Sequence, residues 1–214
     1  MSPTTGVAAG AVVAARGRPR SEEADRAITS AALEVLAEDG IAAFSMEAVA
    51  HRAGVAKSTV YRRFAGAHDL LADALSTLND GLVEPPEHAS TRDALVAIVE
   101  AIRVRALEGA TDRCLPQLLS QAHDNPDLFE IYYERVVEVR RARARRVIER
   151  GVVRGDIRGD VDVELLVSMF TAPMVAMVMM IPPSRGVADS STARAIVDLL
   201  LAGVAGPTPR AAGR

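Results

Sequence analysis

The sequence predicts an all-α protein with a small N-terminal domain followed by a larger helical one. Three observations point there. Apolar residues recur at intervals of three and four along most of the chain, and no stretch alternates polar with apolar as a half-buried strand does. Alanine is abundant and β-branched alternation is sparse, which favours helix. Aromatic residues are only 3% and Trp is absent, so the core has to be assembled from Ala, Val, Leu, Ile and Met. With 214 residues, 49% of them hydrophobic and 25% charged, the chain can bury such a core and has a globular composition.

Residues 1–20 are rich in Gly, Ala and Pro and end in ARGRPR, so a disordered basic arm is expected. Ser21 is placed to cap a first helix over 21–39, with Glu22, Glu23 and Asp25 in its first turn, where the helix dipole favours acid. Ile28, Ala31, Ala32, Val35 and Leu36 form its inward stripe, and Gly40 ends it. Ser45 caps a short helix over 45–53, with Met46, Val49 and Ala50 facing in. Gly54 breaks it, and a second short helix over 57–63 follows, with Val60 and Phe64 facing in. Two short helices joined by a tight turn containing Gly make a helix-turn-helix. A helix over 68–80 completes a domain spanning 21–80.

EPPEHAS, residues 84–90, reads as a linker or loop. Thr91 is placed to cap a helix whose apolar stripe is Leu95, Ile98, Val99 and Ile102. The next helix covers 112–123. Asn125, with Pro126 at the first helical position, opens a long helix to Arg150, and Gly151, Gly155 and Gly159 then punctuate a loop. Asp162 caps a helix over 162–181; Pro173 is expected to kink it and Pro182-Pro183 to stop it. The last helix, 190–203, carries Ile196, Val197, Leu200 and Leu201. The larger domain therefore covers 81–206, and 207–214 form a disordered tail.

The net charge of −3 means that any attraction to nucleic acid must be local. The single cysteine, Cys114, excludes an internal disulfide and a multi-cysteine metal site, and it fits a reducing cytoplasm. VAAGAVVAA at 7–15 has the look of a signal-peptide core, but its arginines follow rather than precede it, so it is read as tail. The uncharged run from Leu165 to Ile181 has the minimum length of a membrane span, about 17 residues. It contains Ser168, Thr171 and Pro173 and lacks flanking aromatic anchors, so a helix buried in a bundle is the better reading, with no membrane.

The stretch GVAKSTVYRRF, residues 54–64, holds the chain's only lysine, Lys57. The longer stretch from Ile28 to Leu75 resembles the TetR family of transcriptional repressors, through SMEAVA, then AGV, then TVYRRF at the family's spacing. The resemblance implies a DNA-binding helix-turn-helix, a C-terminal domain with a ligand pocket, and a dimer through the last two helices, here about 162–203. The residues support the motif independently of the resemblance. Lys57, Ser58 and Thr59 put small and polar groups at the N-terminal end of the recognition helix, where it enters the major groove. Lysine can donate to guanine or to phosphate. Tyr61 and Arg62 follow on exposed faces, and the resemblance gives Tyr61 a phosphate contact. Ser45 can set its hydroxyl and the helix amides against phosphate. Arg18 and Arg20 belong to an arm of the kind that reaches into the minor groove or along the backbone. Tyr61 has a second reading as a core residue, and Arg63 either contacts DNA or pairs with an acid.

Two positions depart from the family. Ala56 stands where a capping Ser or Thr is common, and Ala67 where a phosphate-binding lysine is typical. In the larger domain the candidate ligand-binding residues are Leu118, Gln121, Phe129, Tyr132, Tyr133, Met174 and Met177, with Cys114 and His123 beside them. Few are polar, so the expected effector is a small apolar molecule. His123 reads as structural or exposed, not as a metal ligand, and no cofactor is expected. The arginine run 140–146 is expected to pair with Glu134, Glu138 and Glu149 three or four residues away, as a solvated face.

The leading expectation is a cytoplasmic, homodimeric repressor on a near-palindromic double-stranded operator, released by a small-molecule effector. The alternative is a helical adaptor that keeps the fold but binds DNA weakly. No nucleophile–base spacing, Gly-rich phosphate loop or metal cluster argues for an enzyme.

Overall fold

The computed structural model describes residues 18–108, 114–121, 123–181 and 189–204, and among them every regular element is helical. The order is α1 (Arg18–Glu38), α2 (Met46–Arg52), α3 (Lys57–Tyr61), α4 (Ala67–Ser76), α5 (Thr91–Glu108), α6 (Cys114–Gln121), α7 (Pro126–Tyr132), α8 (Glu138–Arg154), α9 (Val163–Met180) and α10 (Ser190–Val204). Single-turn 3-10 segments lie at Ile41–Ala43 and Thr77–Asn79, and a π turn at Tyr133–Val137.

Local chemistry accounts for many of the boundaries. Ser45 caps α2 by accepting the Ala48 amide at 3.1 Å, and Asp162 caps α9 by accepting the Leu165 amide at 3.0 Å. Gly155, at φ 79°, ends α8 in the left-handed region, and the Asp156 amide returns to the Gly151 carbonyl at 2.9 Å.

Several expected boundaries are corrected. Helix α1 begins at Arg18, so Ser21 lies inside it and the acids fall beyond the first turn. Pro19 at the second helical position permits this start, because that amide has no partner within the helix. The cap of α5 is Ser90, which accepts the Asp93 amide at 3.0 Å; Thr91 is buried and donates its hydroxyl to Asp156 at 2.6 Å. Gly151 is a buried residue of α8, not part of a loop. A Cβ there would stand 2.7 Å from the Thr91 methyl, so glycine is what allows α5 and α8 to approach. The single helix expected from 126 is interrupted by the π turn, while α9 continues past Pro173 to Met180. The Pro182-Pro183 stop lies outside the described residues.

Two cores hold these elements. The first gathers Ile28 and Leu36 of α1, Val49 of α2, Val60 of α3 and Leu70 and Leu75 of α4 with Leu118, Leu128, Tyr132 and Val136. It therefore runs across the boundary expected at residue 80, joining the helix-turn-helix to α6, α7 and the π turn. The second is a bundle of α5, α8, α9 and α10 around Leu95, Val99, Ile148, Phe170, Met174 and Val197.

The arginine run on α8 ties these parts together: Arg141 makes the expected local pair with Glu138 at 4.0 Å, and the other partners are more distant in the chain. Arg145 binds Glu138 at 3.2 Å and also pairs with Glu164 of α9, which Arg141 holds at 2.9 Å. Arg143 and Arg146 reach Glu84 at 3.1 and 2.6 Å. No ion pair of Glu134 or Glu149 occurs among the described residues. The hydrogen bonds from Arg145, then Arg141, hold the Glu164 carboxyl down to about 2.

Candidate nucleic-acid interface

Helices α2 and α3 form the helix-turn-helix. Gly54, at φ 65°, makes the turn, and the Val55 amide closes it on the Ala50 carbonyl at 3.0 Å. Val60 is fully buried and Phe64 nearly so, which fixes the rotation of α3 on the first core. The opposite face is thereby presented: Lys57, Ser58, Tyr61 and Arg62 are exposed and Thr59 is half-exposed. The start of α3 carries no side-chain cap, since Ala56 offers no acceptor, and the Thr59 amide donates to the Ala56 carbonyl at 2.8 Å.

The expected site residues do not all share this face. Arg63 pairs with Asp25 of α1 and donates to the Thr59 carbonyl at 3.3 Å, with a side chain only 18% exposed. Of its two readings, the ion pair is the arrangement found. Tyr61 is 53% exposed, which removes its core reading. Its hydroxyl donates to Glu47 in the first turn of α2 at 2.8 Å. That bond, more than any other influence, lowers the Glu47 pKa and raises that of Tyr61. A phenol has one proton, so Tyr61 cannot donate to a phosphate while it donates to Glu47. Glu47 was not among the residues singled out from the sequence; it stands 14 positions before Tyr61, a separation with no local signature. At the start of α4, Ala67 is preceded by Gly66 without a side-chain cap, and Asp69 accepts the Ala65 amide at 3.1 Å. The backbone of Arg18 and Arg20 lies in the first turn of α1.

This geometry agrees with what related proteins share. The profile of the bacterial regulatory proteins of the tetR family matches residues 28–74, and that of the tetracyclin repressor-like C-terminal domain matches residues 85–200. The chain belongs to the TetR family. The HTH-type transcriptional regulator YdeS of Bacillus subtilis is 30% identical over 161 residues, covering 74% of this chain and 80% of that one. The crystal structure of the TetR family transcription regulator SCO0332 superposes with a TM-score of 0.62 at 28% identity, over 85% of this chain and 98% of its own. The transcriptional regulator FadR from Bacillus subtilis, solved in complex with stearoyl-CoA, shares the fold with a TM-score of 0.64 at 21% identity, over 84% and 98%. As a TetR-family member this chain is a DNA-binding transcriptional regulator.

The residues expected to line an effector pocket are divided between the two cores. Leu118 and Tyr132 are buried in the first core, and the Phe129 ring packs against Tyr132 with centroids 6.3 Å apart. Tyr133 faces solvent at 36% exposure. Met174 is fully buried in the second core, and Met177 is half-buried on the same helix. Gln121 lies in α6, but its side chain and that of Cys114 fall outside the described residues. His123 is exposed. A cavity of about 260 Å³ does exist, but between the linker at 81–86, α5 and α8, and none of these residues lines it. No group of three His, Cys, Asp or Glu side chains suited to a metal occurs among the described residues.

Proposed function

We propose that this TetR regulator is a homodimeric, ligand-responsive repressor that inserts α3 into the major groove of a near-palindromic operator and is released by a small, largely apolar molecule. The observation that carries the DNA reading is the exposure of Lys57 and Ser58 on a helix whose other face is locked by buried Val60 and Phe64. A fixed helix with small polar residues at its N-terminal end is what base readout needs. Ser45, Tyr61, Arg62, Arg18 and Arg20 serve as backbone contacts that set register.

The dimer reading rests on apolar side chains left in water on the last two helices. Met180 is 80% exposed, Leu199 77% and Leu165 57%, and these helices are the ones that pair in similar proteins. Helix α9 is also apolar and long enough to cross a membrane, with 22% of its span buried, but a partner helix accounts for the same surface. Ile196 and Leu200 on α10 are half-buried and pack on the chain's own second core. The ligand reading is supported by FadR, a relative in fold that is complexed with stearoyl-CoA. The shared first core offers a route from α6 and α7 to α1 and α4. A cytoplasmic location follows from the same reading.

The test is selection of bound fragments from a random duplex library, followed by affinity measurement on the selected operator. Lys57→Ala or Thr59→Ala should weaken specific binding by about 1–3 kcal/mol where the residue reads a base. Unchanged affinity in both variants would remove α3 as the reading helix, and a flat salt dependence would favour the adaptor alternative.

A further inference from the structure

The cavity between linker and bundle sits where the DNA-binding half is fastened to the rest. The linker 81–86 forms one wall, and Ala97, Ile98 and Ala101 of α5 form the other. Its charged groups are Arg105, Arg143 and Glu84, a net charge of +1 from two cations and one carboxylate. Arg143 is only 7% exposed, and its guanidinium donates to Glu84 at 3.1 Å and to the Val83 carbonyl. Glu84 is itself 56% exposed and on a loop, and the same oxygen also accepts from Arg146 at 2.6 Å. A buried cation is thus neutralised by an acid that water can reach, which is the arrangement in which an incoming anion can take the acid's place.

The second cation controls the junction itself. Arg105 donates to the Leu78 and Asp80 carbonyls, both at 2.8 Å, at the end of the 3-10 turn that closes the DNA-binding half. Arg140 donates to the same Leu78 carbonyl at 3.1 Å and to Asn79 at 3.0 Å, and Asn79 in turn donates to the Arg135 carbonyl of the π turn at 2.8 Å. Residues 78–80 are held by two arginines and the π turn together. An anion that draws Arg105 toward the cavity competes with the carbonyls that set the position of α4.

We infer that this cavity is an effector site for a small amphipathic carboxylate, which pairs with Arg143 and Arg105 in place of Glu84 and so loosens the linker that positions the DNA-binding half. The inference rests on the ligand-responsive reading and supplies its site and ligand class. At water's share of about 30 Å³ per heavy atom, the cavity holds roughly nine heavy atoms. That is smaller than the usual pocket of about 300–1,000 Å³. A seven-carbon chain with a carboxylate has this size, its hydrocarbon facing the linker prolines and the α5 alanines.

The test is calorimetric titration of the full chain, without DNA, with heptanoate and with heptan-1-ol. Heptanoate should bind at millimolar concentration or tighter. The alcohol should bind about tenfold or more weakly, because it cannot form the charge-assisted pair. Glu84→Gln should tighten heptanoate binding, since the competing charge is gone while the amide oxygen can still accept from Arg143. Ala101→Phe should abolish binding by filling the cavity. Equal binding of acid and alcohol, binding that survives Ala101→Phe, weaker binding in Glu84→Gln, or no heat from heptanoate in the wild type would each overturn the inference. Because no operator is present, such a failure is distinct from failure of the repressor reading, which is measured separately by whether any ligand releases DNA.

Discussion

Leu199 and Leu200 are neighbours on α10 with opposite surroundings, and replacing each by Asp separates interface from core. Leu199 is 77% exposed in the single chain, whereas Leu200 packs against the second core. Burying a whole leucine is worth about 1.5–3 kcal/mol. Burying the exposed share of Leu199 in a dimer is then worth about 1.2–2.3 kcal/mol per chain. A two-fold interface counts it twice, giving about 2.3–4.6 kcal/mol, or roughly 50- to 2,000-fold in the dissociation constant. Aspartate forfeits that gain and adds a desolvation cost of several kcal/mol for each buried carboxylate. Leu199→Asp should therefore sediment as a folded monomer at micromolar concentration and fail to hold the operator, with its helical circular dichroism retained. Leu200→Asp places its charge at the half-buried edge of the chain's own bundle and should lower the midpoint of thermal unfolding. The reasoning is refuted if Leu199→Asp remains a tight dimer, or if Leu200→Asp is a monomer as stable as the wild type toward unfolding.

Three further outcomes follow from the local geometry. Ser45→Ala removes the cap of α2 and should cost about 0.5–2 kcal/mol in denaturant unfolding, while Ala56→Ser at the uncapped start of α3 should recover up to about 1 kcal/mol; no loss in the first or no gain in the second would reject that cap assignment. Glu47→Ala frees the Tyr61 proton and removes a carboxylate from the DNA face, so operator affinity should rise, and Tyr61→Phe should lower it; no gain in a gel shift with Glu47→Ala would mean that the Tyr61 hydroxyl does not contact phosphate. Glu164 has a folded pKa of about 2 against an ordinary 4.5, so its contribution to stability is present above pH 4.5 and drains as the pH falls through about 2. Glu164→Gln should flatten the loss of stability across that window at low salt, and curves parallel to the wild type would reject the Arg145–Glu164–Arg141 cluster as its cause.

What could be read from the sequence was what neighbours in the chain decide. The Ser45 cap, the Gly54 turn and the inward pair Val60 and Phe64 each depend on residues within a few positions, and all of them are found where the pattern placed them. The exposed face of α3 follows from that pair, because a helix has only one other side to offer. What could not be read depends on separation. Glu149 lies three positions from Arg146, and helix spacing alone makes it that arginine's expected partner. Arg146 instead binds Glu84, 62 residues away, because the linker passes over α8 and delivers a carboxylate there. Arg143 falls on the buried stripe of α8, four positions before Val147, and the linker carboxylate is what pairs with it there. The candidate pocket residues are divided for the same reason: Leu118, Tyr132 and Met174 are apolar residues on suitable helices, yet α6 and α7 pack onto the DNA-binding half while α9 packs onto α5 and α8. The groups we infer to sense a ligand are those that the long-range pairing of linker, α5 and α8 created. A regulator of this build couples its halves through the same contacts that close its fold, so disturbing the Glu84–Arg143 pair is a structural perturbation and a signal at once.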